Sequence, residues 1–192
     1  MDRLILEAGP FKLRVARDRD LFRALSAAII YQQLSGKAAA TIHGRFCALF
    51  DGGLPSAAHM DAVSTDALRG AGLSRNKALA VRDLADKVEN GSLPSPRRMA
   101  SLDDEAIIED LCRVRGVGPW TAQMYLIFNL GRPDVMPATD LGIQKGVRYV
   151  YDLAALPTPA EVLDITRHLA PYRSAASWYF WLAADTGLIE QP

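Results

Sequence analysis

The chain has 192 residues, 49% of them hydrophobic, and its 22 basic and 22 acidic side chains cancel at neutral pH. Such a composition excludes a disordered chain and suits one sizeable core or two small lobes. No run reaches the roughly 18 uncharged apolar residues of a membrane helix, and Met1-Asp2-Arg3-Leu4 does not open a basic segment followed by a long apolar one, so a cytoplasmic protein without membrane contact is expected.

At the N-terminus, Leu4-Ile5-Leu6 and Phe11-Lys12-Leu13-Arg14-Val15 flank Gly9-Pro10 and predict a short β-hairpin. Everything after it has helical periodicity, such as Ala39, Ile42, Phe46 and Leu49, or Ala80, Leu84 and Val88. The expectation is an all-α fold with helices near 18–34, 36–50, 57–61, 64–71, 74–90, 103–112, 119–130, 140–151, 159–169 and 171–187. Start signals support these bounds: Ser64 or Thr65, Ser74, Ser101, and Thr158-Pro159 each precede a helical run. Asp51-Gly52-Gly53-Leu54-Pro55 and the segment from Asn90 to Pro96 are the clearest breaks, both too short for a flexible linker. Cys47 and Cys112 read as buried free thiols, with no disulfide framework or cysteine-rich metal site. His43, His59 and His168 have no catalytic or ligand spacing.

Charge is segregated although it sums to zero. Residues 11–45 carry seven bases and two acids, whereas 149–192 carry five acids and two bases. One positive face could therefore meet phosphate.

Between the helices at 103–112 and 119–130, the segment Leu111-Cys112-Arg113-Val114-Arg115-Gly116-Val117-Gly118-Pro119-Trp120-Thr121-Ala122 makes a glycine turn, with proline at the first helical position. Glycines admit close backbone approach, and a helix N-terminus presents amides and a positive dipole end to an anion. Taken alone, Gly-x-Gly between helices also describes a purely structural corner. With its context, the segment resembles the helix-hairpin-helix element of base-excision DNA glycosylases, and the chain is similar to the 3-methyladenine DNA glycosylase II family. The likeness runs from about residue 20 to 187 through four motifs: Ile29-Ile30-Tyr31-Gln32-Gln33-Leu34-Ser35, the hairpin, Pro137-Ala138-Thr139-Asp140-Leu141-Gly142, and Pro171-Tyr172-Arg173-Ser174 with Trp181.

The resemblance implies two helical lobes with the active site in the cleft between them. One lobe would comprise 1–32 and 138–192, the other 33–137 with the hairpin at 111–122. It makes Asp140 the catalytic carboxylate, although an isolated aspartate there would read as a helix cap. It assigns Trp120, Trp181 and Met124 to the base pocket, where π faces suit a flipped cationic purine. Gln33 would be the wedge that fills the vacated stack. Gly116, Gly118, Thr121, Lys77 and Arg173 would meet DNA, Arg173 alternatively holding the lobes together. Trp120 stands where bifunctional relatives carry a nucleophilic lysine, so base release without strand cleavage is expected. No cofactor is required, an iron-sulfur cluster is not expected with two cysteines, and a monovalent cation at the hairpin is left open. The expected partner is double-stranded DNA containing damaged bases, bound by a monomer. A same-fold enzyme for another lesion and a non-catalytic DNA-binding module stay as alternatives. The short stretch before the helices cannot hold the whole N-terminal β-domain of larger relatives.

Overall fold

A computed structural model describes residues 2–16 and 20–185. Among the described residues the regular structure is entirely helical, and the chain divides into two compact units, 1–16 with 126–192 and 17–125.

In the unit formed by 17–125, α1 being the helix Asp2–Ala8 of the other unit, α2 (Leu21–Tyr31) starts at Asp20, whose carboxylate accepts the Arg23 amide at 3.0 Å. It buries Leu21, Phe22, Leu25, Ile29 and Ile30, an i, i+4, i+8 stripe that packs on α3 (Gly36–Cys47), α5 (Arg75–Glu89) and α8 (Pro119–Tyr125). Two 3-10 turns, Asp51–Gly53 and Ala57–Ala62, and α4 (Thr65–Gly70) lead from α3 into α5. Ser64 and Ser74 cap α4 and α5 by accepting the amides of Ala67 and Lys77. The short α6 (Pro96–Met99) precedes α7 (Asp104–Cys112). Asp103, not Ser101, caps α7; the Ser101 hydroxyl instead donates to the Arg98 carbonyl at the end of α6.

In the other unit, α9 (Leu141–Val150) and α11 (Arg173–Asp185) lie against each other, with α10 (Pro159–Ile165) packed on α9. Met136, Ala138, Ile143, Val147, Val162, Ala176 and Phe180 form their core. Thr158 and Glu161 complete a reciprocal capping box at α10. The approach of α9 and α11 requires Gly146, because a Cβ there would lie 2.2 Å from the Phe180 carbonyl oxygen.

Other details depart from the sequence-based expectations. Leu4-Ile5-Leu6 form part of helix α1, and 11–16 has no regular structure, so the predicted β-hairpin is not made. Of those three residues only Leu4 is buried, packed with Tyr179 and Ala183 of α11, while Ile5 and Leu6 are exposed. Gly9, at φ 74°, ends the helix with its amide on the Ile5 carbonyl. Beside the lobes expected from the resemblance, 1–32 with 138–192 and 33–137, the compact units divide at 16 and 125, and α2 packs on α3, α5 and α8. The single helix expected over 119–130 is α-helical to Tyr125 and π-helical from Leu126 to Leu130, with Tyr125, Leu126 and Ile127 all buried. Residues 18 and 19 of the first expected helix and 186 and 187 of the last lie outside the described residues.

Gly146→Val should lower unfolding stability by about 3 kcal/mol, the upper range for overpacking. Gly44→Ala in α3, where a Cβ meets nothing within 4 Å, should be neutral or stabilise by roughly 0.5–1 kcal/mol. Chemical denaturation of both variants checks the contrast, and equal effects would contradict it.

Candidate active site

The segment 131–140 contains Pro133 and Pro137 and has no helix of its own, so its backbone groups need outside partners. The first turns of α11 supply them. Ser174 Oγ accepts the Val135 amide at 3.0 Å and donates to the Arg132 carbonyl at 2.6 Å, and Ser177 Oγ donates to the Val135 carbonyl at 3.1 Å. The Arg173 guanidinium grips Asp134 with Nε at 2.7 Å and Nη2 at 2.8 Å, and its amide donates to the same carboxylate. These bonds hold the Asp134 carboxyl below the usual carboxylate range, against a smaller opposing effect of burial.

The loop so held delivers Asp140 to the start of α9. Asp140 Oδ1 accepts the Ile143 amide at 3.0 Å, an N-cap bond, and also the indole N–H of Trp181 at 2.9 Å. Trp181 is stacked on Phe128, with centroids 5.8 Å apart and planes 24° apart. Its edge reaches the carboxylate because residue 142 is glycine: a Cβ there would stand 2.9 Å from Trp181 Cδ1 and 3.0 Å from Asp140 Oδ1. The structure thus brings Asp140 and Trp181 together. Gly142, Phe128, Asp134, Ser174 and Ser177 complete the arrangement, none of them singled out for a role from sequence.

In the other unit, the hairpin follows α7. Gly116 adopts φ 75°, a left-handed conformation that favours glycine, while a Cβ there would meet the Ala80 methyl at 3.5 Å, an ordinary contact. Gly118 has neither demand: its φ is ordinary and a Cβ would meet nothing within 4 Å. Asp83 of α5 accepts the Arg115 amide at 2.7 Å and the Lys87 ammonium. Burial raises the Asp83 pKa, but these donors outweigh it and hold the carboxyl below its usual value.

The remaining sequence-derived candidates have definite positions. Gln33 is exposed at φ 56°, at the tip of the turn after α2. Thr121 is 3% exposed, and its hydroxyl accepts from Gln32 Nε2 at 2.9 Å. Lys77 donates to the carbonyls of Ile30 and Gln32, both at 2.7 Å, so its ammonium closes the end of α2; burial lowers its pKa. Trp120 is 38% exposed on the first turn of α8, and Met124, one turn later, is half-buried. Arg173 is engaged with Asp134 within its own unit. Cys47 and Cys112 are free and partly buried, and burial pushes both thiols up in pKa. Among the described residues no group of His, Cys, Asp and Glu could hold a metal ion, and no helix is long and apolar enough to cross a membrane.

Residues 26–171 match the family described as HhH-GPD superfamily base excision DNA repair protein. DNA-3-methyladenine glycosylase 1 of Schizosaccharomyces pombe is 35% identical over 181 residues, 93% of this chain and 79% of that protein. The solved 3-methyladenine DNA glycosylase of the same yeast, in complex with abasic DNA, superposes with a TM-score of 0.87 at 34% identity, over 95% of this chain and 90% of that one. A DNA-3-methyladenine glycosidase from Bacillus halodurans superposes with a TM-score of 0.87 at 34% identity, over 98% and 86% of the two chains.

The Arg173–Asp134 pair makes folding pH-dependent. Because the folded Asp134 pKa is depressed, its contribution is complete above the unfolded value near pH 4 and is lost as pH falls through the folded value. With both side chains under a third exposed and the contact bidentate, Asp134→Asn should cost about 1 kcal/mol at pH 7. Melting the variant beside the wild type from about pH 6 downwards should show the gap closing below about pH 4. A gap that stays constant would remove the ion pair from the account.

Proposed function

The chain belongs to the HhH-GPD superfamily of base excision DNA repair proteins, and from that premise we propose that it is a DNA glycosylase hydrolysing the N-glycosidic bond of alkylated purines, of the 3-methyladenine and 7-methylguanine type, in double-stranded DNA. The relatives named as 3-methyladenine glycosylases support the substrate class. The observation that carries the mechanism is the Asp140 carboxylate, oriented through one oxygen by the Ile143 amide and the Trp181 indole.

Breaking the bond between a purine and deoxyribose leaves positive charge on the sugar. Asp140 supplies the opposing charge and takes the proton of the attacking water, whose oxygen bonds to C1′ as the base leaves. Its orientation costs nothing at the moment of reaction, because the indole and the amide already hold it. An alkylated purine is cationic before the bond breaks, so it departs without a strong general acid. The exposed indole of Trp120 and the thioether of Met124 offer such a base a π face and a polarisable contact.

The damaged base leaves the stack before reaction, and Gln33 fills the space. The amides at the hairpin and the start of α8 hold the DNA backbone at Gly116 and Gly118, where the missing side chain of Gly118 leaves room for phosphate. Lys77 and Thr121 serve this contact from behind, through their bonds to the end of α2 and to Gln32, and Arg173 serves the site by fixing the loop that carries Asp140. The reaction needs no cofactor. A monovalent cation at the hairpin carbonyls would strengthen the grip on phosphate and takes no part in the chemistry. The protein acts as a monomer in the cytoplasm.

Asp140→Asn keeps the capping acceptor and removes the charge. Single-turnover base release from alkylated duplex DNA should fall about a hundredfold or more while DNA affinity and melting temperature stay near wild type. Wild-type release by this variant would overturn the role given to Asp140. A panel of duplexes carrying alkylated, deaminated and oxidised purines tests the substrate class, and release confined to a non-alkylated lesion would overturn that part.

Trp120 provides no amine, so treated DNA should accumulate abasic sites without strand breaks. A covalent protein–DNA adduct trapped by borohydride would contradict this.

A further inference from the structure

Gln33 and the hairpin lie 83 residues apart in sequence, counting from Gln33 to Gly116, and are held together by polar contacts that the proposed chemistry does not use. The end of α2 would leave carbonyls without partners. Lys77 supplies two donors there, to Ile30 and Gln32, immediately before Gln33 turns into its left-handed conformation. The Gln32 side chain then leaves α2 altogether. Its Nε2 donates to the Gly116 carbonyl at 3.0 Å and to the buried Thr121 hydroxyl at 2.9 Å, one contact on each side of the hairpin turn.

Helix α5 backs this link along one face. Lys77, Ala80 and Asp83, at i, i+3 and i+6, respectively hold the end of α2, stand beside Gly116, and accept the Arg115 amide. Turn and hairpin are thus fixed to one helix and to each other. An amide that donates to two acceptors with a defined angle between them resists rotation of the turn more than either bond alone.

We propose that Gln32 is a positioning residue that couples the hairpin to the wedge turn, so that seating the hairpin on the DNA backbone also sets the depth and direction of Gln33 in the stack. This rests on the glycosylase reading above. Gln32 touches neither the base nor the sugar; it acts through Gln33. Its loss therefore affects the distortion of DNA beside the lesion, and affects excision most where a stacked, paired base has to be extruded.

The test uses the whole chain and two substitutions, Gln32→Met, which keeps the length but has no donor, and Thr121→Val, which removes one acceptor. The first readout needs no catalysis: a duplex with a tetrahydrofuran abasic analogue beside 2-aminopurine, whose fluorescence rises when the neighbouring stack is opened. At saturating protein, both variants should give less than about half the wild-type rise, with melting temperature near wild type and, for Gln32→Met, affinity for the duplex within about threefold. The double variant should match the more affected single one, as a shared bond requires. A full rise in Gln32→Met, or additive losses, would overturn the coupling.

The second readout is single-turnover release of 7-methylguanine from a paired duplex and from the same lesion in a single-nucleotide bulge. Gln32→Met should lose about tenfold on the first and less than about threefold on the second. Equal losses on both would also overturn the coupling. Should the wild type release no base while the fluorescence contrast holds, the glycosylase reading fails and the coupling stands.

Discussion

The approach of α9 to α11 depends on two missing side chains. Gly142 and Gly146 are four residues apart on one face of α9, and α11 lays Trp181 against the first and the Phe180 backbone against the second. Without Gly146 the helices could not come so close, and without Gly142 the indole could not reach Asp140. The carboxylate, its orienting N–H and the loop that presents it thus follow from one packing contact. The same helix α11 holds the other end of that loop through Arg173, Ser174 and Ser177. One rigid element therefore sets both where Asp140 sits and which way it faces, as precise chemistry requires of its supports.

Most helix starts were legible because their signal is local, although at α7 two local candidates competed and Asp103, not Ser101, is the cap. Ser64, Ser74 and Thr158 start their helices as expected, because an N-cap is a bond between residues three apart; that Glu161 completes a box at Thr158 was not foreseen. Asp140 caps α9, as an isolated aspartate there would, and accepts the Trp181 indole N–H besides, a bond that no local signal announces. The tight turn expected between α7 and α8 is present, with Gly116 at positive φ and Gly118 at an ordinary one, a difference the sequence does not show. The N-terminal segment was misread because three apolar residues in a row fit a strand or a helix equally, and only the partner, α11, decides that one of them is buried.

What sequence could not show were bonds between distant residues. Lys77 was expected from the resemblance to meet DNA, and nothing local pointed to its carbonyl partners, which lie 45 and 47 residues away. Trp181 read as a flat wall for a base, and its N–H, the polar handle of an otherwise apolar ring, turned out to address the carboxylate. Gln32, overshadowed by its neighbour Gln33, has the longest-range tie of these. Such roles are set by which elements meet, and no periodicity records them.

The contrast between the two hairpin glycines bears on how variation at this locus would be interpreted. Gly116 is constrained from within by its left-handed backbone angle, so a replacement is strained and announces itself as lost protein. Gly118 is constrained by nothing inside the chain. On the backbone contact proposed for Gly118, a variant there would be made, fold and persist at ordinary abundance, passing every census that counts soluble protein, while its hold on DNA was weakened. Harm at position 118 is thus silent to abundance and audible only in mutation rate.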